Sequence, residues 1–152
     1  MRTILSKGTA HASTDPCPAP AAPRFRACGR GRKNSLLYKN PQCSCCEAYA
    51  DYLRANGFAV TVKPTHNLSL IKRQHGVPEK FAGCHTMLID GYVVEGHVPL
   101  KSLNRLLTER PDIKGISLPG MPMGSPGMSG AKSEPFTIYE LGEGQPRIYA
   151  VE

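Results

Sequence analysis

The sequence contains no apolar run that approaches the roughly 20 residues of a membrane-spanning helix, so no membrane span is expected. Its first residues, Met1-Arg2-Thr3-Ile4-Leu5-Ser6, also lack the apolar centre of about 7–15 residues that marks a secretory signal. From these two absences alone we expect either a cytoplasmic protein or a native start that differs from the one in this sequence.

Acidic residues are scarce, with 12 against 19 basic ones and a net charge of +7. The basic excess is confined to one end, because residues 1–34 hold seven of the basic side chains and a single acid, Asp15. Residues 35–152, with 12 basic and 11 acidic side chains, are nearly neutral. A nearly neutral body with a basic tail lacks the charged face that binds duplex nucleic acid, so no nucleic-acid partner is expected.

Composition divides the chain into two regions. Residues 1–34 are rich in Ala, Pro, Arg and Gly without an apolar period, which predicts a disordered leader. Two of the six cysteines, Cys17 and Cys28, lie in this leader and are interpreted as incidental thiols. Residues 35–152 are long enough for one compact domain with a hydrophobic core.

Apolar periodicity in this domain alternates between strands and helices. Strands are predicted at residues 35–39, 58–62, 86–89 and 92–94, and helices at residues 46–56, at residues 68–75 and along a leucine stripe at residues 100–107. Asp90-Gly91 predicts a tight hairpin, and residues 136–141 and 147–151 predict a closing C-terminal β-hairpin. This order predicts an α/β (α+β) domain and resembles the thioredoxin fold, a central sheet flanked by helices.

Three cysteines, Cys43, Cys45 and Cys46, follow the first predicted strand at the start of the first predicted helix. Three thiols within four residues are too crowded for a disulfide framework, and they suit either redox exchange or the binding of a soft metal. In the thioredoxin fold, the turn before the third strand faces the active cysteines. In this sequence that turn carries Cys84 and His85, so sulfur from two distant segments is predicted to converge.

The spacing Cys43-x-x-Cys46 is that of a thiol–disulfide oxidoreductase, in which the first cysteine attacks and the second resolves the mixed disulfide. Cys45 favours a metal site over this alternative. A third thiol that can mispair gives an exchanger no advantage, whereas it gives a soft-metal site a ligand. A structural zinc module is a third alternative, which would use the thiolates but leave nearby methionines idle.

Those methionines, Met121, Met123 and Met128, lie among glycines and prolines in a loop predicted at residues 117–130. Thioether sulfur is a good ligand for reduced copper and a poor one for zinc. We therefore predict that the loop delivers, receives or covers Cu(I). The alternative is a loop that folds back and buries the three side chains. His97 is equally compatible with a metal ligand and with an ordinary loop histidine.

Geometry and charge favour more than one ion. Neighbouring Cys45 and Cys46 would project about 100° apart on a regular helix, which suits sulfurs that bridge several ions. Four thiolates around one Cu(I) would also leave about three uncompensated negative charges in a buried site. The predicted copper site is thus a polynuclear Cu(I)–thiolate cluster. Its ligands are drawn from Cys43, Cys45, Cys46, Cys84, His85, His97, Met121, Met123 and Met128.

Four motifs, at residues 41–46, 83–86, 90–99 and 119–128, together resemble the CopG-type copper-resistance proteins, a bacterial family long described as a domain of unknown function. The resemblance covers residues 35–152. It implies a thioredoxin-like fold, copper binding through Cys43, Cys45, Cys46 and Cys84, and a periplasmic role in copper tolerance. It also implies interconversion of Cu(I) and Cu(II) as an uncertain enzymatic activity, and other copper-resistance or export proteins as partners.

Overall fold

The computed structural model describes residues 33–152, in which seven strands form a single mixed sheet. The strands are β1 (Asn34–Lys39), β2 (Ala59–Pro64), β3 (His85–Ile89), β4 (Tyr92–Gly96), β5 (Gly115–Leu118), β6 (Thr137–Glu140) and β7 (Ile148–Val151). Within the same residues the α-helices are α1 (Ser44–Ala55), α2 (Leu68–Gln74) and α3 (Leu100–Glu109), with a 3-10 turn at Glu79–Phe81. The predicted leader at residues 1–34 lies outside the described residues except for its last two positions.

The order of the strands across the sheet is β2-β1-β3-β4-β5-β6-β7. β1 runs parallel to β2 and antiparallel to β3, and β3 and β4 form an antiparallel hairpin. Both hairpin-turn residues, Asp90 and Gly91, have positive φ, as a tight two-residue hairpin of this kind requires. β4 runs parallel to β5, and β6 and β7 complete the sheet as an antiparallel pair.

The main hydrophobic core lies on the face of the sheet that α1 and α3 cover. Alternate strand residues point into it because successive side chains of a strand face opposite sides of the sheet. Its buried members include Leu37, Met87, Val94, Ile116 and Ile138 from the strands, with Tyr49, Ala50 and Leu53 from α1 and Leu103, Leu106 and Leu107 from α3. A smaller cluster on the opposite face contains Val77, Phe81, Val93 and Leu141.

The predicted fold class is confirmed: the described residues form a mixed α+β domain with a central sheet, flanking helices and a C-terminal β-hairpin. The order of elements through the third helix also follows the prediction. α1 begins at Ser44, two residues before the predicted start, because Cys43 has an extended backbone and occupies the N-cap position. As a result, Cys45 and Cys46 lie in the first turn of the helix, where backbone N–H groups have no intrahelical partner.

The prediction missed one central strand, β5. Its four residues, Gly115–Leu118, are all buried between β4 and β6, so the segment has no alternation of apolar and polar residues. A short strand buried on both faces cannot be distinguished by period from other apolar segments. The methionine loop was also placed too early, since Ser117 and Leu118 belong to β5 and the loop begins at Pro119.

Among residues 33–152, no helix combines the length and apolar character needed to cross a bilayer.

Replacement of Ile116 by alanine tests whether β5 is an integral part of the core. Ile116 is fully buried, so Ile116→Ala should lower the free energy of unfolding by about 2–5 kcal/mol through lost burial and a residual cavity. The matched control is Ile148→Ala in β7, where the side chain is 60% exposed. This change should lower the free energy of unfolding by less than about 1 kcal/mol. Urea denaturation of the reduced, metal-free protein measures both. Equal losses in the two variants would contradict the placement of β5.

Candidate metal centre

The loop between β1 and α1 presents the first three cysteines. Lys39, at the end of β1, is almost completely buried, and its ammonium group donates to the carbonyl oxygens of Asn40, Pro41 and Cys43, each at 3.2 Å. The same Nζ lies 3.1 Å from the carboxylate of Glu47 in the first turn of α1. A single buried cation therefore fixes the loop that carries Cys43 to the helix that carries Cys45 and Cys46.

The turn before β3 presents the fourth cysteine. Gly83 precedes Cys84 and packs so closely on β4 that an added Cβ would lie 2.6 Å from the backbone nitrogen of Gly96. Cys84 is half-buried and His85, the first residue of β3, is fully buried. Because β1 and β3 pair antiparallel with Lys39 opposite His85, this turn lies beside the cysteine loop.

The four sulfur atoms of Cys43, Cys45, Cys46 and Cys84 all lie within 4.8 Å of one another. Cys43 and Cys46 are joined by a disulfide, and among the described residues Cys45 and Cys84 are the free thiols. Cys45 Sγ lies 3.4 Å from Cys43 Sγ, so the third thiol directly neighbours the disulfide. The structure thus brings together all four cysteines that the sequence singled out.

A second set of donor atoms overlaps the first. One ligand atom from each of Cys46, Cys84, His85 and His97 lies within 4.8 Å of the others. Cys84 Sγ is 3.0 Å from His97 Nε2 and 3.5 Å from His85 Nδ1. The structure therefore places His97, which the sequence left open between two roles, directly against the sulfur cluster.

The tautomer of His97 follows from its other contact. Its Nδ1 lies 2.5 Å from the carbonyl oxygen of Pro126, and a carbonyl can only accept, so Nδ1 carries the proton. Nε2 then has a lone pair directed at Cys84 Sγ. A hydrogen bond from one ring nitrogen to a carbonyl is the usual way in which proteins orient a metal-binding imidazole.

Burial keeps these groups neutral in the absence of metal. Complete burial, together with the nearby His97 and Lys72, holds the pKa of His85 well below its usual range. Burial also lowers the pKa of His97, although the bond to the Pro126 carbonyl opposes this. The thiol of Cys84 has its pKa raised to about 12 by burial and then by Cys45. Neutral imidazole is the metal-binding form of histidine, whereas Cys84 must release a proton on binding a metal.

His85 carries an unsatisfied donor or acceptor. Its Nε2 is buried and has no hydrogen-bond partner among residues 33–152. Buried polar atoms are nearly always satisfied, so this nitrogen is unusual. The nitrogen that faces the sulfur cluster is Nδ1, 3.5 Å from Cys84 Sγ, and it is the candidate ligand atom of His85. Thiolate sulfur and imidazole nitrogen together form a donor set for copper or zinc.

The three methionines of the loop do not lie together: one is beside the cysteines and two are at the surface. Met128 lines an open cleft of about 340 Å³ with Cys45, next to the start of α1. Met121 and Met123 are exposed by 42% and 61%. The expectation of a loop near the cysteines therefore applies to Met128, whereas Met121 and Met123 lie at the protein surface.

Sequence reasoning missed several residues that shape the site. Tyr49 of α1 was predicted only as part of an apolar helix face, but its ring centroid lies 4.8 Å from that of His85 and 5.2 Å from that of His97. Its hydroxyl donates to the carbonyl of Val98 at 2.9 Å, and burial raises its pKa. The buried charges of Lys39, Lys72 and Glu95 were missed as well, because charged residues in a sequence are read as exposed by default.

Comparison with known proteins agrees with this geometry. Residues 81–128, which include Cys84, His97 and the methionine loop, match a family model described as "Protein of unknown function, DUF411". A solved structure named "Copper resistance protein copG- Form 2" is 37% identical, with a TM-score of 0.73, and the match covers 80% of this chain and 98% of that one. "Copper resistance protein copG- Form 1" is also 37% identical, with a TM-score of 0.72 and coverage of 78% and 96%. No curated protein sequence matches the chain.

Gly127 offers a test of how the methionine loop is held against the site. A Cβ added there would lie 2.7 Å from Tyr49 N and 2.9 Å from Cys45 O, both in the backbone of α1. Gly127→Ala should therefore push the loop away from α1, lower the free energy of unfolding by about 1–3 kcal/mol, and raise the alkylation rate of Cys45 in the reduced protein severalfold.

The control for this change is Gly142→Ala, since a Cβ at Gly142 meets no heavy atom within 4 Å. It should alter stability by less than about 0.5 kcal/mol and leave Cys45 alkylation unchanged. Mass spectrometry of peptides after timed alkylation measures the rate at each cysteine. An unchanged Cys45 rate in Gly127→Ala would show that the loop does not cover this thiol.

Proposed function

Because the chain belongs to the CopG-type copper-resistance protein family, we propose that its sulfur cluster binds copper and holds it as Cu(I) in copper resistance and homeostasis. The observation that carries the proposal is the meeting of four cysteine sulfurs from two distant segments within 4.8 Å. Cys46 belongs to the hydrophobic core and the other three cysteines pack against it, but a core needs no convergence of four sulfurs, whereas a soft metal binds to such a set.

The methionines of the loop favour Cu(I) over zinc. Imidazole and thiolate ligands suit both metals, but thioether ligands are typical of reduced copper. Met128 lines the cleft beside Cys45, and Met121 and Met123 are exposed at the surface of the same loop. In this proposal the two exposed methionines receive or deliver Cu(I), and Met128 lies nearest the cluster. A zinc module would leave all three without a role.

Charge balance supports a cluster of several ions. Four thiolates around one Cu(I) leave about three negative charges in a largely buried site, a state with a large desolvation cost. The two buried ammonium groups nearby do not remove this excess, because Lys39 pairs with Glu47 and Lys72 pairs with Glu95. Several Cu(I) ions sharing the sulfurs would bring the site close to neutrality.

The disulfide between Cys43 and Cys46 suggests how the site could convert Cu(II) to Cu(I). A dithiol that closes to a disulfide releases two electrons and two protons, and the electrons would reduce two Cu(II) ions to Cu(I). In the opposite direction, two Cu(I) ions would each give one electron to the disulfide, becoming Cu(II) and restoring two thiolates. We therefore propose copper binding by the reduced protein, with interconversion of Cu(I) and Cu(II) as an accompanying redox activity of the same cysteine pair.

A second candidate is a thiol–disulfide oxidoreductase that uses Cys43 and Cys46. The disulfide between these two residues at the start of α1 favours it, because a helix N-terminus stabilises the thiolate of an exchanging cysteine. The strand order β2-β1-β3-β4 and the pairing directions also support a thioredoxin-like unit, which we propose as the core of the domain. This candidate gives no role to Cys45, Cys84, His97 or the methionines.

The periplasm is the compartment that we propose, from the resemblance described above, with the cytoplasm as the alternative. An oxidising compartment would also allow the Cys43–Cys46 disulfide to persist. Other copper-resistance or export proteins are the proposed partners that supply or accept the metal.

Substitution of Cys45 separates the two candidate functions. Cys45→Ser should lower the amount of Cu(I) bound after anaerobic loading of the reduced protein, because it removes one of the four clustered sulfurs. Disulfide-reductase turnover, if present, should survive, because Cys43 and Cys46 remain. Elemental analysis gives the metal-to-protein ratio, and X-ray absorption identifies sulfur and nitrogen ligands. Cys17→Ser in the leader is the control and should bind as much copper as the unaltered protein.

Full copper retention in Cys45→Ser would count strongly against the proposed site. A clean ratio of one copper per chain in the unaltered protein would exclude the cluster while leaving copper binding intact. Preferential loading with zinc when both metals are offered would favour the structural zinc module instead.

The methionine loop can be tested by replacing Met121, Met123 and Met128 together by leucine. This change keeps the volume of the side chains nearly constant and removes the thioethers, so stability should change by less than about 1.5 kcal/mol per site. Transfer of Cu(I) to and from a chromophoric chelator should become slower, measured by stopped-flow absorbance. Met87→Leu in the core of β3 is the control, with unchanged transfer. Equal rates in the triple variant would make the loop purely structural.

A further inference from the structure

We propose that Glu95, together with Lys72, is a positioning residue that holds Cys84 in place to bind copper. The inference rests on the proposed function, since it concerns how one sulfur of the proposed copper site is placed. It assigns a role to a buried ion pair that touches no donor atom of the cluster directly. Its elements are the carboxylate of Glu95 in β4, the ammonium group of Lys72 in α2, and the turn between them that carries Cys84.

Glu95 is fully buried, which is exceptional for a carboxylate in a protein core. Its Oε2 accepts a hydrogen bond from the backbone N–H of Gly83 at 2.8 Å and lies 2.5 Å from Lys72 Nζ. Its Oε1 accepts a short hydrogen bond from the hydroxyl of Thr86. The carboxylate therefore contacts the residue immediately before Cys84 and the residue two positions after it.

Lys72 closes the same arrangement from α2. Besides its bond to Glu95, Nζ lies 3.1 Å from Thr86 Oγ1 and 3.4 Å from the carbonyl oxygen of His85. The ion pair thus contacts Gly83, His85 and Thr86, which surround Cys84 on both sides. Every side-chain hydrogen bond of this pair outside the pair itself goes either to Gly83 in the turn or to His85 and Thr86, the first two residues of β3.

A contribution to folding stability does not by itself explain the ion pair of Glu95 with Lys72. The desolvation cost of two buried charges often equals or exceeds their mutual attraction, and well-packed apolar replacements are frequently as stable. Unlike apolar side chains, the charged pair forms directional hydrogen bonds to the polar groups around Cys84. One carboxylate binds both the N–H of Gly83 and the Oγ1 of Thr86, so it fixes the chain on either side of Cys84, whose sulfur lies within 4.8 Å of the other donor atoms.

Gly83 lies against β4 with no room for a side chain, because a Cβ would meet Gly96 N at 2.6 Å. At this position the turn can therefore be bonded only through its backbone, and the Gly83 N–H donates to Glu95. A displacement of about 1 Å in the turn would move Cys84 Sγ out of the range that a metal–sulfur bond of roughly 2.3 Å requires.

A double-mutant cycle between Glu95 and Cys84 tests the proposal. Glu95→Gln keeps the size and an acceptor oxygen but removes the charge. In the reduced protein it should weaken Cu(I) affinity by about 10- to 100-fold, the usual cost of losing a group that orients a metal ligand. In a Cys84→Ser background the same change should alter affinity by less than about twofold, because the sulfur that Glu95 positions is absent. Competition with a chromophoric Cu(I) chelator measures all four proteins.

One further variant guards against a failure of Glu95→Gln to fold, and two others serve as controls. Thr86→Val is nearly isosteric and removes one donor while leaving the Glu95–Lys72 pair intact; it should weaken Cu(I) binding in the same direction and again only when Cys84 is present. Glu109→Gln breaks the exposed ion pair of Glu109 with Arg105 and should leave affinity unchanged. Leu106→Ala destabilises the core far from the charged pair, so it separates a loss of stability from a loss of ligand placement.

The outcomes distinguish a failure of the proposed copper site from a failure of the positioning role of Glu95. If the unaltered protein binds no copper, or if Cys84→Ser binds it as tightly as the unaltered protein, the proposed copper site itself is wrong. If Cys84→Ser weakens binding but Glu95→Gln has no effect, the positioning role of Glu95 is wrong and the copper site stands. An equal loss from Glu95→Gln in both backgrounds, or a loss matched by Leu106→Ala, would also overturn the positioning role.

Discussion

The antiparallel pairing of β1 with β3 is the constraint on which the site depends. It places Lys39, the last residue of β1, directly opposite His85, the first residue of β3. The segment that leaves β1 and the segment that enters β3 must then meet at the same edge of the sheet. Cysteines 38 residues apart in sequence, such as Cys46 and Cys84, come into contact for this reason, with Cys46 Sγ at 3.6 Å from the carbonyl oxygen of Cys84.

Each half of the site is held by an ammonium group that is largely removed from solvent and is itself paired with a carboxylate. Lys39 bonds to three carbonyl oxygens of the first segment, and Lys72 bonds to His85 and Thr86, which follow Cys84 in the second. Because both lysines are neutralised by glutamates, they organise polar backbone without adding net charge to the cluster. In the proposed copper site, the negative charge of the thiolates would therefore be balanced mainly by the bound copper ions. The pairing of the two lysines thus bears on how many ions the site would hold.

The parts of the structure that could be predicted from sequence are those with local signals. Asp90-Gly91 marks its hairpin, and three cysteines in four residues mark the place where the sulfur atoms gather. β5 had no such signal, because a four-residue strand buried on both faces has no alternation. The burial of Lys39 and Glu95 had no signal in the sequence either, because lysine and glutamate are normally exposed. The contact of His97 with Pro126 joins residues 29 apart and exists only in the folded chain.

That contact makes the methionine loop part of the site and not merely its neighbour. The carbonyl of Pro126 fixes the proton of His97 on Nδ1 and leaves Nε2 directed at Cys84. Gly127, the next residue, lies against the backbone of α1 between Cys45 and Tyr49, where no side chain fits. Loop position, imidazole orientation and access to Cys45 are therefore set by two adjacent residues. A movement of the loop away from α1 would expose Cys45 and release the ring of His97 in the same step. In the proposed copper site, access for the metal and the orientation of one candidate ligand would therefore change together.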